Sequence, residues 1–322
     1  MTEKTRKKSL SSILSILVLL CVAAGTLTGC LTGKMRRELA AEYFNLGNAF
    51  FELKNYDRAM ALYQKAISYS DELPENNYNL ARVYISQEEY DEAIKVLVEL
   101  LASDPENLIL LQTLAYTQAK AGETGDAIVT YRRILAISEG NVVTLYNLSV
   151  LYEEEGDSEE AYKYLKTAYA VAPEDAEVLS RLGRLEAAHG SPETAITYLQ
   201  AYMEKKNDDV ETAVFLCDLY REQGLYAEAL TLVETVLSHA ADNPEILFEQ
   251  AYLLLTKADE RTKGLDTLAK ALEAGFEDKD KAGRLLLDAP SSVLKNIQSL
   301  FVDKGVLTAS EAEKILSGAL DD

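Results

Sequence analysis

Apolar residues recur along this chain at helical spacing. In residues 40–73, Tyr43, Leu46, Gly47 and Phe50 fall on one face, and Ala59, Leu62, Tyr63, Ala66 and Ile67 on another. A period near 3.6 predicts two helices in this stretch. The same order returns every 34 residues. Leu46-Gly47 is followed by Leu80-Ala81, Leu114-Ala115, Leu148-Ser149, Leu182-Gly183 and Leu216-Cys217. Ala59 is followed in step by Ala93, Ala127, Ala161, Ala195 and Ala229. Units therefore run 40–73, 74–107, 108–141, 142–175, 176–209 and 210–243, and a degenerate seventh covers 244–277 with Gly264 where an alanine is expected. Small residues at matched places predict close approach of the two helices in each unit.

Turn chemistry fits this division. Gly122, Gly156, Gly190 and Gly224 lie between the paired helices, where a left-handed residue is needed, and Asn55 reads as their counterpart in the first unit. Pro74, Pro105, Pro173 and Pro244 mark unit boundaries, and Asn243-Pro244 reads as an N-cap followed by proline at the first helical position. Residues 277–322 leave the period. Ser291 to Lys304 is amphipathic, Gly305 can end it, and Thr308 with Glu311 resembles a capping box. The segment 278–322 is read as a helical cap, which a repeat array needs at its end. It also weakly resembles short C-terminal helical hairpins linked to oligomerisation.

A 34-residue period with this pattern resembles the tetratricopeptide repeat. The resemblance implies an all-α fold: a right-handed superhelical solenoid of about seven helix-turn-helix repeats over 40–277, closed by the C-terminal helices. It also implies a concave groove lined by the second, fifth, ninth and twelfth residues of each unit. Those places hold Phe44, Asn48 and Phe51 in the first unit, Tyr78, Arg82 and Ile85 in the second, Tyr116 in the third, and Tyr146 and Val150 in the fourth. They form the candidate partner-binding groove, because exposed aromatics bury much area at low entropic cost. Units five and six are charged and small there, with Glu177, Arg184, Glu211, Asp218 and Arg221. The carboxylate clamp of cytosolic co-chaperones of this family is present only in fragments.

The N-terminus changes the picture. Lys4, Arg6, Lys7 and Lys8 precede an apolar run from Ile13 to Ala24, too short for a stable span and right for a signal peptide. Leu27-Thr28-Gly29-Cys30 resembles a bacterial lipobox. That resemblance implies removal of 1–29 as a lipoprotein signal peptide, lipid (palmitate among its acyl chains) on Cys30, and a lipidated tether over 30–39. Leu31 weakly favours the outer membrane, periplasmic face, over the inner membrane or cell surface. Of three cysteines, only Cys217 is then free, and its place predicts a buried small residue. The formal charge is −21, so nucleic acid is excluded as a non-specific partner. Lys34, Arg36 and Arg37 beside the tether are the basic exception.

Catalytic chemistry has no constellation to rest on. His189 and His239 stand apart, and no phosphate loop, nucleophile elbow or zinc motif is present. No catalytic residues, metal or cofactor are expected. The resulting expectation is a non-enzymatic adaptor of the bacterial cell envelope, lipid-anchored, that binds a protein partner's peptide or helix in its groove. The alternative is a ligand-binding accessory lipoprotein of a solute transport system. That reading would use Phe248, Tyr252 and Leu255 as a closed apolar chamber. Whether the chain forms homo-oligomers is left open.

Overall fold

The computed structural model describes residues 33–70, 74–258 and 260–318. Cys30 and the expected signal peptide lie outside these residues. Seventeen helices form, with no strand among the described residues. The chain packs as two compact units, one ending at Thr144 and the other beginning at Leu145.

In the first, α1 (Gly33–Glu52) pairs with α2 (Tyr56–Tyr69), α3 (Pro74–Ser86) with α4 (Tyr90–Ser103), and α5 (Leu108–Lys120) with α6 (Thr124–Ile137). Helix α1 begins seven residues ahead of Ala40, so residues 33–39 of the expected tether are helical. The boundary at Thr144 falls within α7 (Val142–Glu154). The second unit continues with α8 (Ser158–Val171), then α9 (Ala176–Ala188) with α10 (Pro192–Met203), α11 (Val210–Glu222) with α12 (Tyr226–His239), and α13 (Pro244–Thr256) with α14 (Arg261–Glu273).

The small residues do what their period predicts. All six alanines from Ala59 to Ala229 are fully buried. A Cβ added to Gly47 would stand 2.7 Å from a ring carbon of Tyr63, and one on Gly183 would stand 2.4 Å from Leu199 Cγ. The large neighbour thus fills the space the small residue leaves. Burying a ring such as Tyr63 contributes roughly 2 kcal/mol, which a wider helix gap would forfeit.

Helix starts are fastened by side chains. Asn107, Asp175, Asp209 and Asn243 each accept a bond from a backbone N–H in the first turn, satisfying donors that the helix cannot. Asp209 also accepts from the Tyr202 hydroxyl at 2.6 Å and the Thr212 hydroxyl at 2.8 Å. Burial, and then the bond to Asp209, push the Tyr202 phenol up to about 12.

The first turn corrects the sequence expectation. Gly122, Gly156, Gly190 and Gly224 are left-handed, but Asn55 is not: its φ is −90° and it caps α2. Lys54 (φ 55°) and Glu88 (φ 62°) occupy the glycine place in the first two units. The period itself explains this, since Lys54 and Glu88 lie 68 and 34 residues before Gly122.

After α14 the chain turns through Gly275 into α15 (Lys279–Asp288), α16 (Ser291–Asp303) and α17 (Ala309–Ser317). The expected capping box is present: Glu311 N–H donates to Thr308 Oγ1, and Thr308 N–H donates to the Glu311 carboxylate. The Lys279 ammonium and the Thr308 backbone donor hold the Glu311 carboxyl down at about 2. Gly264 meets Leu255, whose Cγ would lie 2.7 Å from an added Cβ. The seventh unit therefore uses glycine where the others use alanine for a packing reason.

Candidate partner-binding face

The face begins with a polar chain across three helices of the first unit. Tyr63 donates its hydroxyl proton to Asn48 Oδ1 at 2.7 Å, and Asn79 Nδ2 donates to the same oxygen at 2.9 Å. Arg82 Nη1 donates to Asn79 Oδ1 at 3.2 Å, and its guanidinium lies 4.6 Å from the centroid of the Phe51 ring. Asn48 is therefore a strut between α2, α1 and α3, with its carbonyl already engaged twice. Burial raises the Tyr63 phenol, opposed by the charge of Arg82. The guanidinium is held flat over an aromatic face, a geometry that suits Arg and not Lys.

Around this chain stand the apolar groups. Phe44 is half-buried, its ring 6.0 Å from that of Tyr63. Phe51 is half-buried against Tyr56 and presents the face that Arg82 covers. Tyr78, also half-buried, reaches Thr113 on α5 at 3.3 Å through its hydroxyl, and Ile85 is half-buried two turns further along α3. On α5 the surface opens: Ile109 is 61% and Tyr116 48% exposed. Seven of the nine candidate groove residues thus belong to the first compact unit. Tyr146 and Val150, both half-buried, belong to the second.

In the second unit the charged groove places pair with one another. Arg184 pairs with Glu211 at 2.8 Å and stands 5.2 Å from the Phe215 centroid. Arg181 pairs with Glu153. Phe248, Tyr252 and Leu255 are buried against their own neighbours. Phe276 stacks on Phe248 with centroids 4.0 Å apart, and Leu285, Leu286, Ile297 and Phe301 fill the rest.

Sequence reasoning missed an ionic lock beside that core. Glu249 on α13 is fully buried, with Arg221 of α11 at 3.1 Å and Lys281 of α15 at 3.2 Å. Arg221 also pairs with Asp218 and lies 4.3 Å from the Tyr252 centroid, and Lys281 also reaches Glu245. The Tyr252 hydroxyl donates to Asp288 of α15. Burial pushes the Glu249 carboxyl up, and the two cations oppose that shift. The signal was a single carboxylate inside the apolar run from Ile246 to Leu255.

Among the described residues, no group of three or more His, Cys, Asp or Glu side chains could hold a metal ion, and no helix is long and apolar enough to cross a membrane. Cys217 is buried, as its place predicts, and burial raises its thiol.

The model of the tetratricopeptide repeat matches residues 50–116, 118–185, 153–213 and 186–247, together more than half of the chain. The chain belongs to the tetratricopeptide repeat family. Its fold recurs in solved structures. A tetratricopeptide repeat protein from Parabacteroides merdae aligns over 82% of this chain and 98% of its own, with a TM-score of 0.52 and 17% identity. PilF of Pseudomonas aeruginosa aligns over 71% of this chain and 98% of its own, with a TM-score of 0.51 and 22% identity. At these identities the likeness is one of fold. No curated protein matches the chain. Tetratricopeptide repeat proteins are in general non-catalytic scaffolds that bind protein partners.

Proposed function

We propose that this tetratricopeptide repeat protein is a non-enzymatic adaptor tethered to a bacterial envelope membrane through Cys30. It takes a partner's extended peptide or helix on the face formed by α1, α3 and α5. The observation that carries this reading is the row of half-buried Phe51 and Tyr78 and exposed Ile109 and Tyr116 around the Arg82–Asn79–Asn48 chain. Aromatic and aliphatic contacts supply affinity where water is displaced. Arg82 adds direction, because a fixed guanidinium favours a carboxylate or a backbone carbonyl beside the ring it covers. A ligand chamber under the C-terminal helices receives no comparable support, since its residues pack against one another.

The test is crosslinking in intact envelopes followed by recovery of this chain. The triple variant Phe51→Ala, Tyr78→Ala, Tyr116→Ala is expected to lose its partner at least tenfold while its far-UV melting curve keeps one cooperative transition. Partner recovery equal to the parent would sink the groove reading.

A further inference from the structure

Within an array, the outer face of each first helix is covered by the second helix of the unit before it. Leu80 and Leu114 sit on that face, and only 8% and 3% of their surfaces are exposed. Leu46 holds the same place in the first unit and is 47% exposed, with Leu53 further along at 74%. The face forms a line in which Leu46 and Leu53 are exposed and Leu39, Tyr43 and Phe50 are half-buried. Leu39, Tyr43, Leu46 and Phe50 on α1, and Leu53 just past its end, follow four-three-four-three spacing, the seam of a helix made to pack against another helix. The flanks are held firm. Tyr43 stacks on Tyr69 at 5.5 Å under the Lys65 ammonium, and Arg58 lies over Phe50.

We propose that a second copy of this chain covers this face, with the two α1 helices packed antiparallel about a two-fold axis at Leu46. The seam continues the interface that the array already uses between successive units. It also matches itself. Antiparallel pairing at Leu46 sets Leu39 against Leu53 of the second copy and brings Tyr43 within one residue of its Phe50, the reciprocity that a two-fold interface requires. Charge favours the same direction. Lys34, Arg36 and Arg37 open α1, with Glu38 after them, whereas Glu52, Lys54, Asp57 and Arg58 around its far end sum to zero. Antiparallel packing keeps the two basic ends apart; parallel packing would place three cations beside three.

The chain's own start cannot serve as the cover, an argument that rests on processing at Cys30 as proposed above. Only Cys30 to Thr32 would then precede Gly33. Three residues reach at most about 10 Å, and the seam from Leu39 to Leu53 runs about 21 Å. One helix face is smaller than the roughly 800 Å² per partner of a stable interface. The dimer is accordingly one that confinement to a membrane surface raises to occupancy.

The test uses the full chain in membranes, with single cysteines added and mild oxidation. Leu46→Cys should give a thiol-reversible band at twice the chain mass. Leu39→Cys and Leu53→Cys should each give none alone and a dimer when coexpressed. Adding Leu46→Glu should abolish that mixed crosslink without shifting the melting temperature, since Leu46 is exposed. A Leu46→Cys chain that stays at single mass overturns the proposal, whether its thiol is open to a water-soluble reagent or shielded only by the bilayer. So does Val98→Cys on α4, half exposed, if it crosslinks as well as Leu46→Cys. Intact mass of the same samples reports cleavage at Cys30 separately. The triple groove variant should still dimerise, so failure of one proposal is distinct from failure of the other.

Discussion

Lys54 and Glu88 are the residues at which local backbone and sequence disagree. Both are left-handed in a turn that four later units build with glycine. An L-residue in that conformation costs about 1–2 kcal/mol. Lys54→Gly is therefore expected to stabilise the protein by about 1 kcal/mol, less than the full strain because glycine also loosens the unfolded chain. A urea midpoint that rises on Lys54→Gly checks this, and a falling midpoint would contradict the turn assignment. The same turn shows how far residues are legible in a sequence. The alanine row and the small residue after each leucine could be read because sterics allow few alternatives there. Asn55 is easily taken for the left-handed residue because Lys54 and Asn55 are both polar and both sit in the turn. Only a strict count of the period separates the left-handed place from the cap beside it.

Helices inside the period were legible almost to their ends; those outside it were not. The amphipathic face of α16 and the capping box of α17 could be seen in the sequence, but α15 and the covering role of Phe276 could not. That cover depends on which faces meet, which no repeat announces. Its consequence reaches the candidate site, because Phe248, Tyr252 and Leu255 obey the groove rule by position and are nevertheless core. The ionic lock pins α15 to α11 and α13. Glu249→Leu would leave Arg221 and Lys281 without their buried counter-charge, a loss of about 3–5 kcal/mol. Chemical denaturation monitored by circular dichroism should show that loss. Truncating exposed Glu211, which pairs with Arg184 at the surface, should change stability by less than about 1 kcal/mol.

For the whole molecule, length and charge set the context in which the face works. A chain of net charge −21 is repelled by anionic lipid. If Cys30 carries the anchor, Cys30→Ala should move the protein from the membrane to the soluble fraction. A variant that stays in the membrane fraction after a salt wash would rule out the lipobox reading. The row on α1, α3 and α5 lies in the compact unit that follows the expected anchor most closely.

The lock between Asp218, Arg221, Glu249 and Lys281 has one more implication. Near-identical units are interchangeable, so nothing in their packing alone says where an array should stop. Here an ionic lock stands beside the apolar cover, and every member of the lock lies between residues 218 and 281. Duplication or loss of a 34-residue unit upstream would leave it untouched. The terminus of this array is thus a portable module, and the number of units before it is free to change through evolution without the end coming undone.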